Sequence, residues 1–323
     1  MTPASTTTAT TGTARSSVVS DVVLVVDKPV GPTSFSVVRQ IRRAAGVKRV
    51  GHGGTLDPLA SGVLPVCLGE ATKLAPFLLD ADKEYDVTIR LGVETDTDDA
   101  EGAALAQHDA AGVTEAAVLR LLARFRGAIS QVPPAFAAIK REGRPLYAYA
   151  RAGERVEVAA REVTIHALEL VGFSGPDDLR LHVHCSKGTY VRALARDLGR
   201  ALGVGGHVAA LRRTRSGPFA LEMARPLSEV LEALADPARA PLPRVGLAAA
   251  LAHLPQHGVD EPTAHDLRRG KRVSWETASG GSAEARLCLV DPAGDLVAVA
   301  ERRPDGLTKT LRVFLSLPPK KLT

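Results

Sequence analysis

Gly51-His52-Gly53-Gly54-Thr55-Leu56-Asp57-Pro58-Leu59-Ala60-Ser61-Gly62-Val63-Leu64-Pro65 places four glycines and two prolines around one carboxylate, Asp57. Glycine reaches backbone angles closed to other residues and lets a ligand approach the main chain, while proline pre-sets the turn. The stretch reads as a loop that presents Asp57. Its plainest alternative is a surface turn in which the carboxylate makes an Asx-type hydrogen bond. Phosphate-loop and dinucleotide readings fail on spacing: no Gly-x-x-x-x-Gly-Lys-Ser/Thr occurs, and no Gly-x-Gly-x-x-Gly joins a strand to a helix. The Gly-x-Ser-x-Gly of a serine nucleophile is absent as well.

Upstream, Asp21–Asp27 is a short apolar run that predicts a buried strand. Lys28-Pro29-Val30-Gly31-Pro32 breaks it, and Thr33 or Ser34 caps a helix with Val37, Val38, Ile41 and Ala45 on one stripe. Arg39, Arg42 and Arg43 ride on that helix and Lys48 and Arg49 follow it, by default a solvated face. Downstream, Glu70–Leu79 and Thr114–Phe125 have helical spacing and Glu84–Leu91 is strand-like. Asp96, Asp98 and Asp99 read as a hydrophilic turn after that strand. Leu179–Cys185 alternates, so Leu179, Leu181, Val183 and Cys185 face one side and Arg180, His182 and His184 the other. No carboxylate stands near the two histidines at a useful offset and Cys185 points away, so no metal site is expected. A helix follows from about Tyr190, with Val191, Leu194, Leu198 and Leu202 inward. Strands and helices at irregular intervals, without an internal repeat, predict an α+β (mixed α/β) fold.

The whole chain supports a globular protein of two units. It has 323 residues, 45% hydrophobic and 24% charged, which excludes wholesale disorder. No apolar run is long enough to span a bilayer, and Cys67, Cys185 and Cys288 share no spacing suited to a disulfide framework or a zinc ribbon. Forty-one basic against thirty-six acidic residues leave +5, a mild lean toward polyanions. Residues 1–20 hold eleven Ser or Thr and lack an apolar core, which predicts a disordered tail rather than a secretion signal. Prolines at 237, 241 and 243 mark a composition change, beyond which short strands around Asp291-Pro292-Ala293-Gly294-Asp295 predict a small β-rich domain. The expected division is 21–245 and 246–323.

From Val26 to Gly102 the chain closely resembles the TruB family of bacterial tRNA pseudouridine synthases. The resemblance rests on Asp27-Lys28-Pro29, the Gly51–Pro65 stretch, Cys67–Lys73, Lys83-Glu84-Tyr85 and Thr95–Gly102. It continues in Gln131-Val132-Pro133-Pro134, Gly143–Tyr147 and Cys185–Arg192. Leu267–Gly270 and Leu311–Phe314 are similar, more loosely, to a PUA domain, a small RNA-binding module. The resemblance implies a central, mainly antiparallel sheet flanked by helices, an RNA-clasping insertion at 131–157 and a PUA-like C-terminal domain. It implies isomerisation of the T-loop uridine at position 55 of tRNA to pseudouridine, moving the glycosidic link from N1 to C5, without cofactor or metal. It also implies a cytoplasmic monomer that needs no obligate protein partner and no membrane.

Residue by residue, Asp57 matches the family's catalytic aspartate, a carboxylate that acts as nucleophile or base in its ionised form. Arg192 matches its arginine partner; breaking a buried pair of this kind costs ~3–5 kcal/mol. Tyr85 matches a tyrosine that stacks on the target base, worth ~1–3 kcal/mol, and is proposed to remove the C5 proton; a packed core tyrosine is the competing reading. His52 matches a histidine that inserts beside the T-loop. Lys28, Pro29, Tyr190, Gly54 and Thr55 fall in motifs lining the same cleft. The target base must be flipped out of its stack, at a few kcal/mol. Arg42, Arg43, Arg49, Arg212 and Arg213 gain a second reading as phosphate contacts, and Arg268, Arg269, Lys271 and Arg272 as a grip on the acceptor stem. Two other functions compete: an RNA-binding or RNA-folding protein, and the guide-RNA-dependent relative that shares the Asp loop.

Overall fold

The computed structural model describes residues 21–137, 139–154, 156–236, 242–271, 286–302 and 308–315. The 1–20 tail, Arg272 and the polar Thr277–Ser282 stretch lie outside them. One sheet organises the chain, in the order Arg225–Pro226, Val22–Lys28, Ala60–Leu68, Gly206–Ser216, Lys83–Leu91, Leu179–Cys185, Arg161–Phe173 and Gly127–Gln131. Val50–His52 pairs with Ala60–Leu68, and Phe219–Ala220 with Gly206–Ser216. Two of the pairings are parallel, Val22–Lys28 with Arg225–Pro226 and Gly206–Ser216 with Ala60–Leu68; the rest are antiparallel. The mainly antiparallel α+β architecture is therefore present.

Local chemistry accounts for the elements. Thr33 accepts the Ser36 N–H and so caps the Ser34–Ala45 helix, which ends at Gly46 in the left-handed region (φ 65°). Its stripe of Val37, Val38 and Ile41 joins the main core with Leu24, Leu64, Ile89, Leu181 and Leu194. The Leu179–Cys185 strand buries its four apolar residues and turns Arg180, His182 and His184 outward, as the alternation predicts.

The Gly51–Pro65 stretch is less of a loop than its composition suggests. Only Gly53–Leu59 lies outside strands, and Ala60–Leu68 is almost wholly buried. Pro65 is tolerated in so central a strand because of a handover on one edge. Gly206–Ser216 pairs with residues 60–62 and Val50–His52 with residues 66–68, so Val63–Pro65 has no ladder neighbour on that side.

The Asp96–Asp99 segment also departs from expectation. It docks on the sheet through Val208 N–H to the Asp98 carbonyl and Ala100 N–H to the Val208 carbonyl, and Asp98 and Asp99 are buried. The two carboxylates are inside because arginines meet them there. At the C-terminus, Gln256–Gly258, Arg286–Val290, Leu296–Arg302 and Thr308–Val313 form a four-stranded sheet with the Glu261–Arg268 helix beside it. Cys288, Leu296, Val299 and Phe314 of this sheet share an apolar core with Val23, Val63, Cys67 and Leu78 of the larger body.

Candidate active site

The Gly53–Leu59 loop is held from three sides. Ser34, buried at the start of its helix, donates through Oγ to the Leu56 carbonyl (3.0 Å) and accepts the Leu56 N–H (2.8 Å). Lys28 is buried too; its ammonium donates to the carbonyls of Pro29 (2.8 Å), Pro32 (2.8 Å) and Pro58 (3.4 Å). Arg213, 1% exposed, donates to the carbonyls of Val63 (2.7 Å), Gly54 (3.1 Å) and Thr55 (3.2 Å). Its Nε reaches the strand segment left without a ladder neighbour, so a guanidinium takes the place of missing backbone donors. Gly62 makes that approach possible: with φ at +102°, a Cβ there would lie 2.2 Å from the Arg213 carbonyl oxygen.

Asp57, fixed by this bracing, meets Arg192. The Arg192 Nε lies 2.9 Å from Asp57 Oδ2, with the aspartate side chain 38% exposed and the arginine 6%. Arg192 Nε makes no hydrogen bond, so this contact is an ion pair rather than a directed bond. Arg192 Nη1 lies 3.5 Å from Asp99 Oδ2 and donates to the Thr97 carbonyl (2.9 Å), while Nη2 donates to the Phe136 carbonyl (2.9 Å). The Val191–Ala201 helix repeats the arrangement one turn at a time: Arg196 pairs with Asp98 (3.0 Å) and Arg200 with Glu94 (2.8 Å). At the head of that helix the buried Gln131 side chain accepts the Tyr190 N–H (2.8 Å) and donates to the Tyr190 carbonyl (3.1 Å). Asp99, Gln131, Ser34 and Lys83 are the supporting residues that sequence reasoning did not assign. The spacing of Arg192, Arg196 and Arg200, four apart on a helix, was the available signal for acidic partners.

A cleft of about 260 Å³ opens at the pair, lined among others by Gly54, Thr55, Asp57, Lys83, Tyr85, Tyr190, Arg192 and Arg213. This is the scale of a single small ligand. Tyr85 is 9% exposed and burial pushes its hydroxyl above the usual phenol range, with Arg213 opposing. The ring at the cleft is thus a protonated phenol at neutral pH, suited to stacking, and a poor base without help. Lys83, its ammonium donating to the carbonyls of Leu78, Leu79 and Ala81, is lowered to about 8 by burial, reinforced by Arg213.

Other expected site residues sit elsewhere. His52 accepts the Gly54 N–H through Nδ1 (3.4 Å) and is not among the residues that line the cleft. Burial first, and Arg213 second, hold it below the usual histidine range, so it is neutral at pH 7. Lys28 braces the loop through the Pro58 carbonyl, and neither it nor Pro29 lines the cleft. Arg213 faces main chain, so the phosphate contact expected of it is replaced by a supporting role. Arg212 pairs with Asp27 (2.7 Å) and Arg49 with Glu70 (2.7 Å). Arg42 and Arg43 are exposed and border an open basic depression with Arg39 and Lys48.

Comparison with known proteins fits this geometry. Residues 42–191 match the TruB family pseudouridylate synthase N-terminal domain, and residues 192–245 the tRNA pseudouridylate synthase B C-terminal domain. A tRNA pseudouridine synthase B of Aromatoleum aromaticum is 52% identical over 265 residues, covering 81% of this chain and 83% of that one. The chain belongs to the TruB family of pseudouridine synthases.

A second TruB relative, from Burkholderia pseudomallei, is 47% identical over 92% of this chain and 97% of its own length. Among solved structures, a chain in the crystal structure of a Cbf5-Nop10-Gar1 complex superposes with a TM-score of 0.74 at 27% identity, covering 91% of this chain and 85% of that one. Another, in an H/ACA RNP bound to a substrate RNA containing 2'-deoxyuridine, gives 0.71 at 26%, covering 91% and 85%. The family is one of isomerases, and no helix among the described residues is long and apolar enough to cross a membrane.

Proposed function

We propose that this pseudouridine synthase isomerises the T-loop uridine at position 55 of tRNA, with Asp57 as the reacting carboxylate. The observation that carries the reading is the Asp57–Arg192 ion pair at the mouth of a cleft with Tyr85 in its wall. A half-exposed carboxylate beside a buried guanidinium is held in place and reachable, as a nucleophile or base toward an extruded nucleotide must be. Tyr85 stacks on the base, and Lys83, Arg213 and Tyr190 shape the cleft behind it. Lys28 and His52 act by holding the loop. The basic end of the Ser34–Ala45 helix takes phosphates, the 131–157 insertion clasps the stem-loop, and the 246–323 unit, PUA-like, grips the acceptor stem. With tRNA as its substrate the enzyme works in the cytoplasm, as a monomer.

The test is mass mapping of uridines in a T-arm hairpin incubated with native protein and with Asp57→Asn, without guide RNA or helper protein. Native protein should convert one uridine and the variant none. Conversion by Asp57→Asn would remove the carboxylate from the chemistry. Conversion only when a guide RNA is supplied would favour the guide-RNA-dependent reading instead.

A further inference from the structure

We propose that Asp82, His166 and His184 form a site for a divalent transition-metal ion of the zinc class, on the side of the sheet turned away from the cleft. The sequence spacing offers His184 no carboxylate; the sheet register supplies one. The Leu179–Cys185 strand lies between Lys83–Leu91 and Arg161–Phe173, with Cys185 opposite both Lys83 and Ile165. His184 stands directly opposite Glu84, with Asp82, the residue before Lys83, on the diagonal, and a bulge in the other neighbouring strand. The pairing jumps from Ile165 opposite Cys185 to Ala167 opposite His184, leaving His166 as the extra residue. A bulge of this kind re-aims a side chain, and such bulges concentrate beside functional sites.

The result is compact. Asp82 Oδ2 lies 3.3 Å from His166 Nε2 and 3.9 Å from His184 Nε2, and the imidazole centroids are 4.7 Å apart. One ligand atom from each residue falls within 4.8 Å of the others. Tetrahedral zinc with N and O bonds of about 2.0–2.2 Å needs neighbouring ligand atoms roughly 3.3–3.6 Å apart. The Asp82–His166 edge already has that length, and His184 closes the remainder by a small side-chain rotation. Two imidazoles and one carboxylate leave a fourth position for water. Asp82 and His166 are exposed and His184 half-buried, so a hydrated ion has a path in.

The ion would act on structure, not on the isomerisation. The Asp82 carbonyl accepts the Gly217 N–H (2.9 Å), and the next residue, Lys83, carries the ammonium that holds the Leu78, Leu79 and Ala81 carbonyls under the cleft. Metal at Asp82 clips this turn to two further strands. His182, paired with Asp86 at 2.9 Å and lying 3.9 Å from Glu84, is the neighbouring histidine outside the site and serves as the control.

Full-length protein without a histidine tag, stripped with a chelator, is titrated with Co²⁺ by visible absorbance and with Zn²⁺ by calorimetry. One ion per chain is expected, with affinity falling at least ~100-fold in His166→Gln and in Asp82→Asn and unchanged in His182→Gln. At a hundredfold excess over Kd, Zn²⁺ should raise the Tm of native protein by about 4 °C and leave that of His166→Gln unmoved. All three variants change surface side chains, so their metal-free Tm should match the native value. Absence of stoichiometric binding overturns the site. So does binding that survives His166→Gln, or that is lost equally in His182→Gln.

Discussion

Arg192→Ala is the perturbation with the most to reveal. The Arg192 side chain is 6% exposed and its guanidinium serves two carboxylates, at 2.9 Å and 3.5 Å, and two main-chain carbonyls. Removing it does different things at the two acids. Asp57 is half-exposed and relaxes into water, whereas Asp99, 4% exposed, is left as a buried charge. Breaking a buried pair from one side costs ~3–5 kcal/mol. At about 2.1 cal/mol/K of unfolding entropy per residue, a chain of 323 residues loses about 1.5 °C of Tm per kcal/mol, so Tm should fall ~4–7 °C. Adding Asp99→Asn removes the stranded charge, and the double variant should recover ~1–3 kcal/mol of that loss with no recovery of activity, since Asp57 stays unpaired. Asp57→Asn alone should leave Tm within ~1 °C while abolishing pseudouridine formation. Urea unfolding of the native protein, Arg192→Ala, Asp99→Asn and their double variant measures the cycle, with Asp57→Asn beside them and single-turnover assays on a T-arm hairpin for all five. If Arg192→Ala keeps native stability, or Asp99→Asn fails to rescue it, the account of Arg192 as a link between a working and a supporting carboxylate is wrong.

Three further outcomes can be checked. Gly62→Ala should destabilise by ~1–3 kcal/mol more than Gly31→Ala in urea unfolding: both have positive φ, but only at Gly62 does the new methyl meet Arg213. Burial lowers Lys28 and Lys83 to about 8 from 10.5, so above about pH 8 the unfolded chain holds more protons at these two groups and their contribution to stability rises with pH. The buried thiols of Cys67, Cys185 and Cys288, pushed up to about 12 from 9.0, oppose it above about pH 9. Lys83→Met should remove roughly half of the lysine contribution, read as a smaller slope of urea midpoints from about pH 8 to 9 than in the native protein. Replacing both Arg42 and Arg43 by Ala should reduce the slope of log affinity against log salt by roughly 0.9 for each phosphate no longer neutralised, whereas Arg213→Lys should leave the slope unchanged and slow the chemistry.

Much of the frame was legible along the chain because its signals are local. The apolar run at 22–26, the Thr33 cap and the alternation at 179–185 each lie within a few residues, the range over which periodicity and capping operate. The motif around Asp57 was equally visible, and its resemblance to the TruB family located the carboxylate and its arginine. Composition misled at two points. Glycines and prolines suggested a loop through Pro65, yet the strand begins at Ala60, because a gap between two partner strands accepts proline. Aspartates at 96, 98 and 99 suggested solvent, yet two are buried under arginines.

By itself the amino-acid order determined which residues make strands and helices, that the chain folds as α+β, and which carboxylate is exceptional. Only tertiary structure decided what the charged residues do. Arg213 read as a phosphate contact and Lys28 as a residue lining the cleft, but both are buried and donate to main-chain carbonyls, Arg213 to those of Gly54, Thr55 and Val63 and Lys28 to those of Pro29, Pro32 and Pro58. Asp82, His166 and His184 are unrelated by spacing and meet through one register shift. The physical reason is common to all of them. A side chain's partner is set by sheet register and burial, which join residues far apart in the chain, and a charge changes meaning when water is replaced by a carbonyl or an opposing charge.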